Sequence, residues 1–464
     1  MERAVTLILL GLSLTTAAAV HAQPTVYAQP VVQERPSTYA PRIHRLRFDI
    51  PAVDVRANLE LGFWPSMQQS LAIAKDSYYL VHAGILSIPY PRAVPKALVY
   101  FSDGLLIFGA DVLIMFLPAA EGWMHEEWHR SVMSQYGISS YNGIYDLKLF
   151  DDLINVSRVK DEDLIRLKRD HPADQVRMSA AGIEGDYSLG VAFDKDRFFF
   201  GTRPATTFTE WLTVLNAILY MNDAAFDSNG TTEKENEKEG SNVAIRDFTG
   251  LDPDGWVYDL FRPDEPYEAR GSHPSGVGID RYRSESDFTR RERHYLQTQA
   301  RLSWLNLANP QLIGFYSFDL GSADGLPLSF NASLQHVMAP FGYSLALNLF
   351  GKAGPYNAFA ELRAYVSESL VLPGLSVELL RYPLRWADAT LSPRVRLWLQ
   401  PKDQRLVAGS AAPGGALEVR LNVPLFRDFE FYVEGQAKSV GWVPGTVFLE
   451  QSLNLRTGLE AFVF

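Results

Sequence analysis

The pattern that most constrains the fold is a strict alternation of apolar and polar residues across the last third of the chain. It recurs in segments of about ten residues, for example 328–335, which are separated by turns containing Gly, Pro and Asp. Because successive side chains of a strand point to opposite faces, each segment predicts a β-strand with one apolar face. About ten such strands fit between residues 294 and 464, and we expect the first of them at 296–304.

The length of these segments favours a membrane. Strands of soluble sandwiches average five or six residues, whereas about ten are needed for a tilted strand to cross the hydrocarbon layer. In lipid every backbone polar group must be paired, which requires the sheet to close. The sequence therefore predicts an α+β protein with an antiparallel transmembrane β-barrel of about 10–12 strands, and a soluble β-sandwich or soluble barrel is the alternative. The polar face carries charges that suit a wet interior: Glu418, Arg420, Glu430, Glu434 and Lys438.

The end of the chain adds a second sign of this class. It reads Glu460-Ala461-Phe462-Val463-Phe464 and so finishes on an aromatic residue. Together with the alternating segments, this ending resembles the Gram-negative outer-membrane β-barrel proteins. The resemblance implies an outer-membrane location, contact with outer-membrane lipid and contact with the barrel-assembly machinery.

The N-terminal region is consistent with export. Residues 1–22 have a short charged start, an apolar core and a small-residue end, which is typical of a cleavable secretory signal peptide. Residues 23–42 are rich in Pro and Gln and indicate a flexible leader. Alternation at 55–63 marks 43–63 as a possible first barrel strand, which we expect to pair with the last strand because an unpaired edge is unfavourable. A strand of a separate N-terminal domain is the alternative.

The middle of the chain changes to a helical period. Residues 64–226 predict a helical domain inserted near the N-terminus, between the first strand and the barrel at 294–464. Residues 105–120 are nearly all apolar but too short to span a bilayer, so we expect a buried core helix there. Residues 227–293 read as a charged mobile linker, because 227–242 contain almost no apolar side chain with which to order themselves.

The motif with the clearest chemistry lies in the predicted helical domain. Residues 125–129 read His-Glu-Glu-Trp-His, the H-E-x-x-H pattern. Two imidazoles four residues apart lie on one helix face, so both Nε2 atoms of His125 and His129 can reach one zinc ion. Glu126 between them is the natural general base. A coincidental or inactive motif is the alternative.

A hydrolytic zinc ion needs a third protein ligand. The chain contains no cysteine, so the ligand must be a histidine or a carboxylate. Gln135 occupies the position at which a metzincin carries its third histidine, which disfavours that class. We select Glu184, because its small neighbours allow close helix approach and a buried carboxylate needs a partner; Asp186 and His171 remain open. The set resembles the HExxH zinc peptidases with a distant glutamate ligand.

Other polar residues of this domain have supporting roles or none. Metal-bound imidazoles usually donate their second N–H to a carboxylate or a carbonyl, and Asp111 and Asp186 are candidates for that acceptor. An Asp111 satisfied by local backbone or lining a cavity is the alternative. His82 lies in an apolar stretch and is expected to be a packed core histidine, and Glu127 is expected to be solvated or ion-paired.

These observations predict an outer-membrane zinc metallopeptidase or a related zinc hydrolase. Glu126 would take a proton from zinc-bound water, which attacks an amide carbonyl of a polypeptide or of an envelope component. The alternative is a non-enzymatic outer-membrane pore or scaffold, in which the helical insertion plugs the lumen or docks a partner. A net charge of −11 without an extended basic cluster excludes nucleic acid as a partner.

Overall fold

The structure is a computed structural model that describes most of the chain after the predicted leader. The predicted signal peptide, the leader and the terminal Phe464 lie outside the described residues. The described residues are 46–463 except 57–62, 92, 148–153, 202–205, 324, 385–387 and 427.

The described part of the chain begins with strand β1 (Leu46–Arg56) and continues into a helical region. Two short strands, β2 (Tyr141–Asn142) and β3 (Val156–Ser157), pair with each other within that region. The α-helices among the described residues are α1 (Met67–Leu86), α2 (Lys96–Ile114), α3 (Glu121–Ser134), α4 (Asp161–Asp170), α5 (Pro172–Phe200), α6 (Thr206–Glu239), α7 (Asp252–Phe261) and α8 (Arg290–Ser303).

A large antiparallel sheet follows the helical region. Its hydrogen-bonded order is β1-β13-β12-β11-β10-β8-β7-β6-β5-β4, with β9 paired to β10, which gives eleven strands among the described residues. The strands after α8 are β4 (Phe318–Ala323), β5 (Leu326–Ala339), β6 (Gly342–Ala353), β7 (Tyr356–Val366), β8 (Val371–Leu380), β9 (Tyr382–Pro383), β10 (Thr390–Pro401), β11 (Ala411–Phe426), β12 (Phe429–Lys438) and β13 (Ser452–Val463).

The N-terminal strand pairs with the last strand, as the alternation predicts. β1 and β13 run antiparallel from Leu46 opposite Val463 to Arg56 opposite Asn454. Residues 57–62 of the predicted strand lie outside the described residues. At the two ends of the order, β1 and β4 are not hydrogen bonded to each other in the described parts of the chain. The observed architecture is therefore α+β, with a helical region and a large antiparallel sheet that the described strands alone do not close into the predicted barrel.

The two faces of the sheet differ in polarity. Charged side chains on one face are paired across strands, as between Arg420 and Glu460 at 2.9 Å. The helical region packs against this charged face, which we call the inner face. Trp256 Nε1, for example, donates to the Ala339 carbonyl at 3.0 Å. The other face is apolar and exposed; its side chains include Leu375, Val377, Leu379, Val395, Leu397, Leu417, Leu421, Val423, Phe431, Val433, Leu453 and Leu455.

The predicted strand at 296–304 is wrong, because this segment is helical. Thr289 and Glu292 form a capping box that begins α8. Leu296 and Ala300 are buried four residues apart, which is the spacing of one helix face. The C-terminal strands of the sheet therefore begin at Phe318 rather than near residue 296.

The predicted mobile linker is also wrong in its secondary structure. After a bend at Asp227, where φ is −149° and ψ is 28°, α6 continues to Glu239, and α7 and α8 follow. Polar contacts hold this part of α6 in place of apolar packing. Thr232 Oγ1 donates to the Arg283 carbonyl at 3.2 Å, and Glu239 Oε1 accepts from the Asp247 N–H at 2.9 Å.

The apolar segment predicted as a buried core helix is instead largely exposed. Its residues 105–114 lie in α2, which is 19 residues long and apolar enough to cross a membrane by length and composition, and about a fifth of the most apolar 18 residues of α2 are buried (22%). Its buried face includes two acids, Asp103 and Asp111. The prediction of a core helix is therefore wrong, because the polar side of α2 faces the protein and the apolar side faces outward.

Candidate metal centre

Helix α3 brings the two motif histidines together. His125 and His129 lie four residues apart on one face, and their ring centroids are 5.0 Å apart. Trp128, Val132 and Met133 lie on the same side of α3, at i+3, i+7 and i+8 from His125, and are buried in the helical core. This side of α3 packs against α5, and the Nε2 atoms of both imidazoles meet the start of α7.

The first residue of α7 completes the group. Asp252 Oδ2 lies 2.9 Å from His125 Nε2 and 3.1 Å from His129 Nε2. The Asp252 N–H donates to the Tyr220 hydroxyl at 2.9 Å, which holds the start of α7 against α6. His125, His129 and Asp252 form a group that could hold a metal ion.

The hydrogen bonds on the far side of each ring show which nitrogen is free to bind a cation. His129 Nδ1 lies 2.6 Å from the Met178 carbonyl oxygen, which can only accept, so Nδ1 carries the proton. His125 Nδ1 lies 2.9 Å from Asp186 Oδ2, a carboxylate oxygen that favours the same tautomer. The neutral form of each ring therefore directs its Nε2 lone pair at Asp252. This is the usual arrangement of metal-binding histidines.

Two imidazole nitrogens and a carboxylate oxygen that converge in this way repel one another unless a positive charge lies among them. Without a metal the charge is supplied by protons: although burial opposes it, Asp186 and Asp252 raise the pKa of His125 well above its ordinary value. A divalent cation can replace those protons. Ligands about 2.0–2.2 Å from a tetrahedral ion lie about 3.3–3.6 Å apart, so outward shifts of a few tenths of an ångström would admit zinc.

Helix α5 leaves space beside the two Nε2 atoms. A Cβ at Gly182 would overlap Nε2 of both His125 and His129. One turn further along α5, a Cβ at Gly185 would lie 2.9 Å from Trp128 Cδ2. The small residues of this helix therefore allow α5 to lie directly against α3, and the glycine leaves the space into which the imidazoles point.

Glu126 lies beside this group and is buried. Burial raises its pKa well above the ordinary value; His125 opposes the rise, and the nearby carboxylates of Asp252 and Asp247 add to it. Burial likewise raises the pKa of Asp247 well above its ordinary value, although it accepts from the backbone N–H groups of Thr249 and Gly250. The centre therefore combines two imidazoles with an excess of buried acid, which a cation would offset.

The structure places Glu184 elsewhere, and Asp252 takes the position expected for it. Arg177 binds both carboxylate oxygens of Glu184, and Trp442 Nε1 and the Gly445 N–H also donate to it, at 3.0 and 2.8 Å. All these groups are buried. Glu184 therefore joins α5 to the loop before β13 and is not part of the group that could hold an ion.

The remaining predicted residues divide between the centre and the core. Asp186 accepts from His125, the type of contact expected of it. Asp111 instead binds His82 Nε2 and Thr209 Oγ1, each at 2.7 Å, and both histidine and acid are buried. His171 packs against Tyr136 with ring centroids 4.4 Å apart, outside the group.

Glu127 is buried and paired with Arg130 rather than solvated. Asn142 Nδ2 also donates to it, at 2.8 Å. Its carboxylate therefore anchors β2 to α3, facing away from the metal group.

Sequence reasoning did not identify Asp252, because it was assigned to a linker. A local signal was present in the residues Asp252-Pro253-Asp254, since Pro near the start of a helix and acids in its first turn indicate a helix N-terminus.

The chain matches no protein-family model, no curated protein and no solved structure. The assignment of a function therefore depends on the chemistry of this centre.

Proposed function

We propose that the chain is a zinc-dependent hydrolase of the metallopeptidase type, held in the outer membrane of a Gram-negative bacterium. The observation that carries the proposal is the convergence of His125, His129 and Asp252, with Glu126 between the two histidines in the sequence. Two neutral imidazoles and one carboxylate form a ligand set used by hydrolytic zinc sites, with a fourth position left for water.

The proposed chemistry divides between the ion and the protein. A bound ion would polarise a carbonyl and lower the pKa of water. Glu126 would take a proton from the attacking water as its oxygen bonds to the carbonyl carbon, and would deliver that proton to the amine nitrogen as the C–N bond breaks; its burial strengthens its hold on a proton. Asp186 and the Met178 carbonyl keep the imidazoles in the metal-binding tautomer. The proposed substrate is an amide of a polypeptide or of an envelope component.

The proposed membrane location is supported by the polarity of the sheet. Its exposed face is apolar, and its inner face contains paired charges such as Arg394 with Glu418 at 3.2 Å. A water-soluble sheet has the opposite arrangement, because its apolar face forms the core. An apolar outer band around a charged interior is the arrangement of outer-membrane proteins. On this proposal outer-membrane lipid and the barrel-assembly machinery are partners.

The first test is metal content, measured by elemental analysis of the refolded, dialysed protein. We expect about one zinc ion per chain in the parent. Asp252→Asn removes an anionic ligand and should lose the ion, whereas the same change at the exposed Asp264 should not. Zinc that remains stoichiometric in Asp252→Asn would contradict the assigned ligand set.

The second test is hydrolysis of a fluorescein-labelled casein and of a quenched peptide mixture. Glu126→Gln should keep the ion and lose at least about 100-fold in rate, the usual contribution of a general base. Glu162→Gln is the matched control, because Glu162 is exposed on α4. Equal rates in Glu126→Gln and the parent would refute the proposed role of Glu126.

A structural ion in a non-enzymatic scaffold is the second candidate. The observation that favours it is burial, since His129 is 0% and Asp252 4% exposed. If the ion is structural, the parent would still bind about one zinc ion per chain and Asp252→Asn would still lose it. The parent would, however, hydrolyse neither substrate, and removal of the ion would change only stability.

A further inference from the structure

The free edge of β1 is covered by a helix. In an antiparallel strand alternate residues direct their backbone groups to the same side. Side chains of α1 bind the backbone of residues 47, 49 and 51, so α1 lies along the edge of β1 that does not face β13. The hydrogen bonds are Lys75 Nζ to the Arg47 carbonyl (3.0 Å), the Asp49 N–H to Asp76 Oδ2 (2.8 Å) and Gln69 Nε2 to the Pro51 carbonyl (3.3 Å).

The other end of the sheet is covered in a similar way. β4 is short, and its pairing with β5 ends at Phe330. Beyond that point, the segment after α8 binds the backbone of β5. The Leu334 N–H donates to the Ala308 carbonyl at 3.0 Å, and Asn306 exchanges two hydrogen bonds with the backbone of His336, at 2.9 and 3.1 Å.

Helices α2 and α6 join these two covered edges. His82 of α1 binds Asp111 of α2, and Thr209 of α6 donates to the same carboxylate, each at 2.7 Å. Trp211 of α6 donates to the Leu312 carbonyl at 2.7 Å, in the segment that covers β5. A continuous line of contacts therefore runs from β1 through helices to β5, across the side that the strands leave open.

The polarity of helix α2 is the reverse of that of a helix in a water-soluble protein, because acids lie on its buried side and apolar residues on its exposed side. Its four buried residues lie at intervals of four and include two acids: Val99, Asp103, Ile107 and Asp111. Its exposed side carries one charged residue, Lys96, at the first position of the helix. In water the polar side faces the solvent and the apolar stripe faces the core. The exposed large apolar residues of α2 are Leu98, Tyr100, Phe101, Leu105, Leu106 and Leu113.

We propose that α2 is a lipid-facing element of the protein wall, and that bilayer hydrocarbon covers its apolar side. Together with α1 it completes the perimeter that the strands leave open. This inference rests on the proposed membrane location, because it extends the apolar outer face of the sheet across the gap. Exposed apolar residues continue that face on either side of α2, at Leu80 of α1 and at Ile313 and Phe315 beside β5.

The length and the hydrogen bonding of the helices fit this position. Nineteen helical residues extend about 28 Å, close to the hydrocarbon thickness of about 30 Å. An open sheet edge does not occur in lipid, because its backbone groups would be unpaired. Here α1 supplies partners to the backbone of residues 47, 49 and 51 of β1, and the segment at 304–316 supplies them to residues 334 and 336 of β5. On this proposal, helices replace further strands along these stretches of the perimeter.

The absence of cysteine from the sequence allows a direct test by site-directed spin labelling. Leu98→Cys, Leu105→Cys and Leu113→Cys place labels along the exposed side of α2. Glu233→Cys is the matched control, because Glu233 is exposed on the charged half of α6. The labelled proteins are reconstituted in phosphatidylcholine vesicles. Collision rates with oxygen, which partitions into lipid, are compared with those of chromium oxalate, which stays in water.

We expect the α2 labels to collide several-fold more often with oxygen than with chromium oxalate, and the Glu233 label to show the reverse. An α2 label as accessible to chromium oxalate as the control would overturn the inference, since that side would then face water. Low accessibility to both reagents at all three positions would also overturn it, because protein would then cover the helix.

Leu397→Cys on the exposed face of β10 separates this inference from the proposal on which it rests. If the Leu397 label is in lipid and the α2 labels are in water, only the role of α2 fails. If all of them are in water, the membrane location fails as well. Zinc content and hydrolysis measured on the same samples report on the catalytic proposal independently of either result.

Discussion

Gly182→Ala tests the position of the metal ion with a single methyl group. The added Cβ would overlap Nε2 of both His125 and His129, the two atoms proposed to hold the ion. Gly190→Ala is the matched control on the same helix, because its Cβ would meet only ordinary contacts, the nearest being Val214 Cγ2 at 3.5 Å. Any difference between the variants therefore reports on the space beside the imidazoles rather than on helix propensity.

The two variants are expected to change the free energy of unfolding in opposite directions when zinc is present. Replacing glycine by alanine inside a helix stabilises it by about 0.5–1 kcal/mol, which is the result expected for Gly190→Ala. An ion present at a thousand times its dissociation constant stabilises the folded state by about 4 kcal/mol. Gly182→Ala should lose this stabilisation, because either the imidazoles or α5 must move and the three donors no longer converge.

The measurement is a zinc titration against a chromophoric chelator, followed by denaturant unfolding with and without zinc. We expect the parent and Gly190→Ala to bind zinc equally and to gain stability from it. Gly182→Ala should bind about 10–100-fold more weakly, the loss associated with displaced supporting groups in metal sites. Zinc affinity in Gly182→Ala within a few-fold of the parent would refute the assignment of the ion to this space.

Two further substitutions test the surroundings of the centre. Glu184→Gln should lower the unfolding free energy by about 3–5 kcal/mol, because it leaves Arg177 buried without a counter-charge. The variant should keep its zinc. Loss of zinc with unchanged stability would instead make Glu184 a ligand. Burial raises the pKa of Glu239 from 4.5 to about 7, so its contribution to stability is complete below pH 4.5 and decreases as the pH rises through 7. Glu239→Gln should therefore remove up to about 3 kcal/mol of pH dependence between those values, whereas the exposed Glu237→Gln should not, as measured by denaturant unfolding across that range.

The alternation of the last third predicted most of the sheet, because period-two patterning and strand direction are local properties. It failed at 296–304, where the residues satisfy two periods. Leu296 and Ala300 fit an apolar strand face, and they also fit a helix face. The capping box of Thr289 and Glu292 distinguishes the two, since it lies just before the segment and begins a helix. Capping residues therefore distinguish a helix from a strand when the hydrophobic pattern fits both.

The polar half of α6 and the apolar α2 failed for a common reason. The linker prediction assumed that only apolar packing orders a segment, and the core-helix prediction assumed that an apolar segment too short to span a bilayer is buried. Glu239 is buried by hydrogen bonding, and Asp111 is buried by His82 and Thr209, so polar contacts provide the interior surface of these helices. Burial therefore follows polar pairing in this part of the chain, and hydropathy alone assigns the wrong side to the interior.

The metal centre shows which part of a site is local. The H-E-x-x-H spacing places His125 and His129 on one face of one helix, and it is sufficient to predict both. The third member of the candidate group, Asp252, lies 123 residues after His129, and its position depends on how α7 begins against Tyr220 of α6. The small residues near Glu184 did indicate the correct helix, because Gly182 allows α5 to approach the imidazoles. They indicated the space beside the two Nε2 atoms, which a Cβ at Gly182 would fill, and not the third member of the candidate group.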